Sequence, residues 1–97
     1  MKKGSEQTAE RDGGWHVYIV RCADGTLYTG IATDVARRVE EHNNNQLAAK
    51  YTRARRPVSL VFKQPCESRS DAARREAEIK QLSRIDKEAL VSGGEDR

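Results

Sequence analysis

Residues 15–31, WHVYIVRCADGTLYTGI, decide the fold. The first half, residues 15–22, is dominated by β-branched and aromatic residues. Both of its alternating faces are apolar, with Val17 and Ile19 on one and Tyr18 and Val20 on the other. That pattern describes a central strand covered on both sides. Ala23-Asp24-Gly25 is a strong turn signal, so residues 27–31 return as the second strand of a hairpin. A two-residue loop would pair positions summing to 49 and put Tyr18 and Tyr28 on opposite faces. A three-residue loop with Gly25 left-handed would pair positions summing to 48 and put both tyrosines on one face. The residues themselves are compatible with either register.

The rest of the chain follows from this hairpin. Thr33 or Asp34 caps a helix to about Asn43, with Val35 and Val39 toward the core. Arg38 and His42, four apart, lie on a neighbouring stripe of that helix. Residues 46–57 read as a short helix or loop carrying Lys50, Tyr51, Arg53, Arg55 and Arg56, ended by Pro57. Residues 58–62 form a third strand, closed by Pro65. Ser68 with Asp71 and Ser83 with Asp86 are two capping boxes, each opening a helix. The expected order is β-β-α-(α)-β-α-α, an α+β architecture: a three-stranded, mainly antiparallel sheet flanked by helices. Residues 1–13 are polar and aperiodic and are expected to be a disordered tail. The domain is expected over 14–91, with a frayed tail over 92–97.

Composition narrows the class. Ninety-seven residues are one domain. Charged residues make up 34% and the hydrophobic set 36%, with mean hydropathy −0.87. No apolar run approaches a membrane span, and no apolar stretch follows Lys2-Lys3 as a secretory signal would need. Cys22 and Cys66 do not make a disulfide framework, and two histidines with two cysteines, widely spaced, make no zinc pattern. A soluble, cytoplasmic domain is expected. Net charge is +3, but between positions 37 and 75 ten basic residues stand against four acidic ones, an excess of six. A basic middle with neutral or acidic ends fits a polyanion partner; a solvated surface is the plainer reading.

Five residues invite chemistry. Glu76 shares a helix face with Ala72, Ala73 and Ile79, where a carboxylate is costly unless paired. Lys80 or a nearby arginine is the plain partner. A divalent cation is the other, because magnesium often takes one or two protein carboxylates and keeps its waters. Arg37 and Arg38 point about 100° apart, so one can face solvent while the other faces the sheet and offers a phosphate its planar fork; a surface salt bridge with Glu40 or Glu41 is the alternative. Tyr18 and Tyr28 are each ordinary core filler. Two tyrosines converging with Arg38, His42 and Glu76 would not be.

These residues resemble a known family. His16-Val17-Tyr18 followed by Tyr28-Thr29-Gly30 is similar to the paired motif of the GIY-YIG nuclease superfamily, with His16 at the first glycine and Thr29 at the second isoleucine. The stretch TGIATDVARRVEEH resembles the passage from the second motif into the first helix. The family's arginine then falls at Arg38, its tyrosine-or-histidine position at His42, and its metal-binding glutamate, through AARREAEIKQL, at Glu76. The family's downstream asparagine has no counterpart; Lys87 and its neighbours stand there instead. The likeness is strongest to small stand-alone bacterial proteins of the YhbQ-like group.

The resemblance implies a metal-dependent endonuclease that hydrolyses DNA, with a role in DNA repair or processing. It implies that Tyr18 and Tyr28 share the active face. Mg²⁺ or Mn²⁺ at Glu76 would bind the scissile phosphate, and Arg38 would stabilise its charge. Tyr18 is favoured as base, with Tyr28 and His42 holding water and phosphate. That role needs nearby cations to lower a pKa of ~10. Lys50, Arg53, Arg55 and Arg56 would track the backbone of DNA, or of RNA. A dimer or partner protein is one source of specificity. The alternatives are a non-catalytic nucleic-acid-binding module and, more weakly, an adaptor whose basic face meets an acidic partner.

Overall fold

The computed structural model describes residues 14–44 and 50–93. The expected tail at 1–13 lies outside the described residues, as do residues 94–97 of the tail expected over 92–97; Ser92 is the C-cap of the last helix. The elements are β1 (His16–Arg21), β2 (Leu27–Ala32), α1 (Val35–Asn44), α2 (Lys50–Arg53), β3 (Ser59–Pro65), α3 (Arg69–Lys80) and α4 (Arg84–Val91). The sheet order is β2-β1-β3 with both pairings antiparallel, so the strand that is apolar on both faces is the central one.

The hairpin takes the three-residue loop. Tyr18 pairs with Gly30 and Val20 with Tyr28, so all pairs sum to 48. Gly25 sits at φ +88, and its N–H donates to the Cys22 carbonyl at 2.8 Å, closing the turn. Only glycine enters that left-handed region without cost. Asp24 braces the loop by accepting from the Thr26 N–H and hydroxyl.

Each sheet face carries its own core. Tyr18, Val20 and Cys22 pack with Val35 and Val58, joined by Tyr28, Ala32 and Val39. Val17 and Ile19 pack with Ile79 and Leu90 under α3 and α4. α1 is capped by Asp34, which accepts from the Arg37 N–H at 3.0 Å. Ser68 and Ser83 cap α3 and α4 by accepting from the N–H of Asp71 and Asp86. Arg21 grips Glu88 with two hydrogen bonds of 2.9 and 2.8 Å and so ties α4 to the central strand. Within α4, Leu90 is buried but Ile85 is 78% exposed.

One contact fixes the upper face. The Tyr18 ring lies across Gly30 so closely that a Cβ there would meet the Tyr18 hydroxyl oxygen at 2.6 Å and Cζ at 2.8 Å. Tyr18 is 1% exposed and cannot swing away. Gly30→Ala is therefore expected to cost about 1–3 kcal/mol through overpacking, read as a lower midpoint in urea unfolding. An unchanged midpoint would show that the ring yields freely.

Candidate active site

Three elements bring four of the five predicted residues together. Tyr18 comes from β1 and Tyr28 from β2, on one face because of the register. Arg38 and His42 come from α1, one turn apart. The Tyr18 hydroxyl is 2.9 Å from His42 Nε2, and both residues are fully buried. The Tyr28 ring meets the His42 ring edge-on, with centroids 5.4 Å apart. Arg38 turns inward, with its side chain 27% exposed against 74% for Arg37. Its guanidinium donates to the Tyr18 oxygen and, at 2.9 Å, to Glu41. Glu76, on α3, is half-buried, and its charge is felt at Tyr18 as the least of the influences there.

Both plain pairings also exist. Lys80 meets Glu76 at 3.2 Å within α3, and Arg38 is paired with Glu41. Neither excludes a second partner. The Lys80 side chain is 54% exposed, and such i,i+4 surface pairs contribute little.

Electrostatics bear on two of these residues. Burial pushes the Tyr18 phenol up to about 12, Tyr28 adds to this, and Arg38 only partly opposes it. Without further positive charge Tyr18 stays a phenol at neutral pH, so Arg38 alone does not make it a base. Burial and the nearby Arg38 cation push His42 down to about 4. The ring is fully buried, and its Nε2 faces the Tyr18 hydroxyl rather than solvent.

The four cations expected to track nucleic acid divide. Arg53 is exposed on α2, and Lys50 opens that helix. Arg55 instead lies over the Tyr51 ring at 3.9 Å and bonds Asp24 at 3.1 Å. Arg56, half-buried, donates to the His42 carbonyl. Arg55 and Arg56 thus fasten α2 to the hairpin turn and to α1.

Two residues of this site went unforeseen. Thr52 is fully buried, and its hydroxyl oxygen is 2.8 Å from His42 Nδ1. Tyr51 stacks on Tyr28 with centroids 5.8 Å apart. No spacing rule marks a threonine ten residues past a histidine on a separate helix, so the sequence carries no signal for it.

Comparison with known proteins gives the family. A model of the GIY-YIG catalytic domain matches residues 14–89. The chain belongs to the GIY-YIG family. It is 58% identical over 81 residues to a UPF0213 protein of Desulfotalea psychrophila, covering 84% of this chain and 74% of that one. It is 59% identical over 75 residues to a UPF0213 protein of Halobacterium salinarum, covering 77% and 96%. The solution NMR structure of the UPF0213 protein BH0048 of Bacillus halodurans superposes with a TM-score of 0.53 at 49% identity, covering 82% of this chain and 86% of that one. This is a nuclease-type fold. No helix among the described residues is long and apolar enough to cross a membrane.

The buried histidine has a measurable signature. Between pH 6.5 and about 4 the unfolded chain takes up a proton that folded His42 refuses. The stability held by the neutral ring is therefore complete above pH 6.5 and lost on acidification, by up to about 3 kcal/mol. Urea unfolding at pH 6.5, 5.5 and 4.5 should show this slope, and His42→Gln should flatten it. Equal slopes in both proteins would mean that the ring is already charged in the fold.

Proposed function

We propose that this GIY-YIG chain is a divalent-metal-dependent endonuclease acting on DNA, with RNA as the other polymer to test. One observation carries the reading: Tyr18, Tyr28, Arg38 and His42, from three separate elements, form one connected cluster within electrostatic reach of the Glu76 carboxylate. A core that needed only filler would not bury a histidine, a phenol and the inner half of an arginine together.

Arg38 is held at its inner end by Tyr18 and braced by Glu41, so its fork is oriented before substrate arrives. Such a guanidinium meets charge developing on the non-bridging phosphate oxygens. Tyr18 is the tyrosine with an acceptor behind it, His42 Nε2, which holds the phenol hydrogen inward and fixes the orientation of its oxygen. Tyr28 lies half-buried beside it and lines the approach to the same cluster.

Glu76 would hold the metal. Among the described residues no three His, Cys, Asp or Glu side chains cluster as a metal cage. A lone carboxylate suits a hard cation that keeps its waters, such as Mg²⁺ or Mn²⁺, and not zinc. Bound there, the cation would supply the positive charge that offsets the phosphate and the leaving oxygen. Glu76→Gln should abolish Mg²⁺- or Mn²⁺-dependent cleavage of plasmid, flapped, branched and single-stranded DNA, while leaving binding equal or tighter. Arg38→Ala should lower kcat/KM on the order of 10²-fold. Cleavage by Glu76→Gln at the wild-type rate would remove Glu76 from the metal site.

A non-catalytic nucleic-acid-binding module is the second reading. What favours it is that Glu76 and Arg38 already have ion-pair partners within their own helices. In that case no metal or substrate elicits cleavage. Arg53→Ala still weakens binding and lowers the slope of log K against log salt by about 1.

A further inference from the structure

Behind the tyrosine pair lies a buried hydrogen-bonded chain, Tyr18–His42–Thr52, whose last member no catalytic motif includes. Its links are 2.9 and 2.8 Å, and all three residues are 1% exposed or less. The direction of the chain follows from what each group is able to do. A tyrosine hydroxyl has one hydrogen to place, and a buried hydroxyl without an acceptor is costly. Among the described residues two groups meet the Tyr18 oxygen, Arg38 and His42 Nε2. A guanidinium only donates. The phenol hydrogen therefore goes to Nε2, which must be the bare nitrogen. The hydrogen of the neutral ring then sits on Nδ1 and is donated to the Thr52 oxygen. A threonine hydroxyl accepts as readily as it donates, so it completes the chain in the direction that Arg38 sets.

We propose that Thr52 is a positioning residue that locks His42 as the Nδ1–H tautomer and thereby fixes the direction of the Tyr18 hydrogen bond. As a role in cleavage, this rests on the nuclease reading above; as a statement about the tautomer, it does not. The tautomer of a histidine is set by the bond its other nitrogen makes. With Thr52 replaced by a group of the same shape but no oxygen, Nδ1–H loses its acceptor. The ring then gains by moving its hydrogen to Nε2, where it would donate to Tyr18. The phenol oxygen would face two donors, and its own hydrogen would have to turn away from His42.

The segment that carries Thr52 is built to hold it. Arg56 donates to the His42 carbonyl, and Tyr51 stacks on Tyr28 beneath Arg55. α2 thus touches both His42 and Tyr28 from behind. The α2 segment is a back plate for the site, not only a carrier of cations.

The test is a long-range ¹H–¹⁵N correlation spectrum of the histidine rings at pH 7, on the full chain without DNA or metal. The chain has two histidines, and His42→Gln assigns them. The wild type should show His42 neutral with hydrogen on Nδ1. Thr52→Ser should keep that pattern, and Thr52→Val should shift it toward Nε2–H. A wild-type ring with hydrogen on Nε2, or a Thr52→Val spectrum unchanged from wild type, overturns the proposal. Should Thr52→Val fail to fold, Thr52→Ala makes the same comparison, and the wild-type tautomer alone already decides the direction of the chain.

Where the wild type cleaves DNA, Thr52→Val should lower kcat by at least about tenfold with KM nearly unchanged, and Thr52→Ser should restore it. Full kcat in Thr52→Val overturns the role in cleavage. A wild type that does not cleave removes the nuclease reading and leaves the spectroscopic result standing.

Discussion

The hydroxyl of Tyr18 is the point on which the upper face of this protein depends. It lies over Gly30, accepts from Arg38 and meets His42 Nε2, so three elements converge on one oxygen. Each partner answers to a different constraint. Gly30 must have no side chain because the ring occupies that space. His42 is neutral because its burial and the neighbouring Arg38 cation outweigh the pull of the Glu41 carboxylate. Arg38 must come from α1 at the turn before His42 so that both reach the same oxygen. A motif that looks like three letters at each of two places is one packed contact.

The second constraint is the division of charge. Arginines with alternative uses surround the site, and the fold settles which use each takes. Arg37 stays in solvent, and Arg38 turns to the sheet. Arg55 and Arg56, which read as backbone-tracking cations, fasten α2 to the hairpin and to α1. A guanidinium has five donors, so it can bind inside the fold and still leave hydrogens facing outward. The basic excess in the middle of the chain is therefore partly structural, and its exposed remainder at α2 is narrower than the sequence suggests.

Burial and reactivity oppose one another here. The desolvation that makes the Tyr18–His42–Thr52 chain directional also keeps Tyr18 protonated near neutral pH. Under the proposed nuclease function, activation would then depend on positive charge arriving with a bound metal. That ordering suits a hydrolase, since a site that gains its reactive group only when loaded is quiet when empty.

By itself the sequence determined most of the framework. Alternation in residues 15–22 marks a strand apolar on both faces, and such a strand has one place, the centre of the sheet. Asp34, Ser68 and Ser83 mark helix starts because a side-chain oxygen must satisfy the first free N–H groups, which is a local matter. Tyr18, Tyr28, Arg38, His42 and Glu76 were legible as candidates because motif spacing is also local, or nearly so. Only the tertiary structure chose the hairpin register, since both loop lengths satisfy the same residues and the choice rests on which faces pack. Only it showed that His42 is fully buried and meets Thr52, and that Tyr51 backs Tyr28. Those contacts join residues of separate elements, where no single period of 2 or 3.6 tells which side chain meets which. Hydrogen-bond partners between separate elements are set by the packing of whole elements, and a one-dimensional pattern does not contain them.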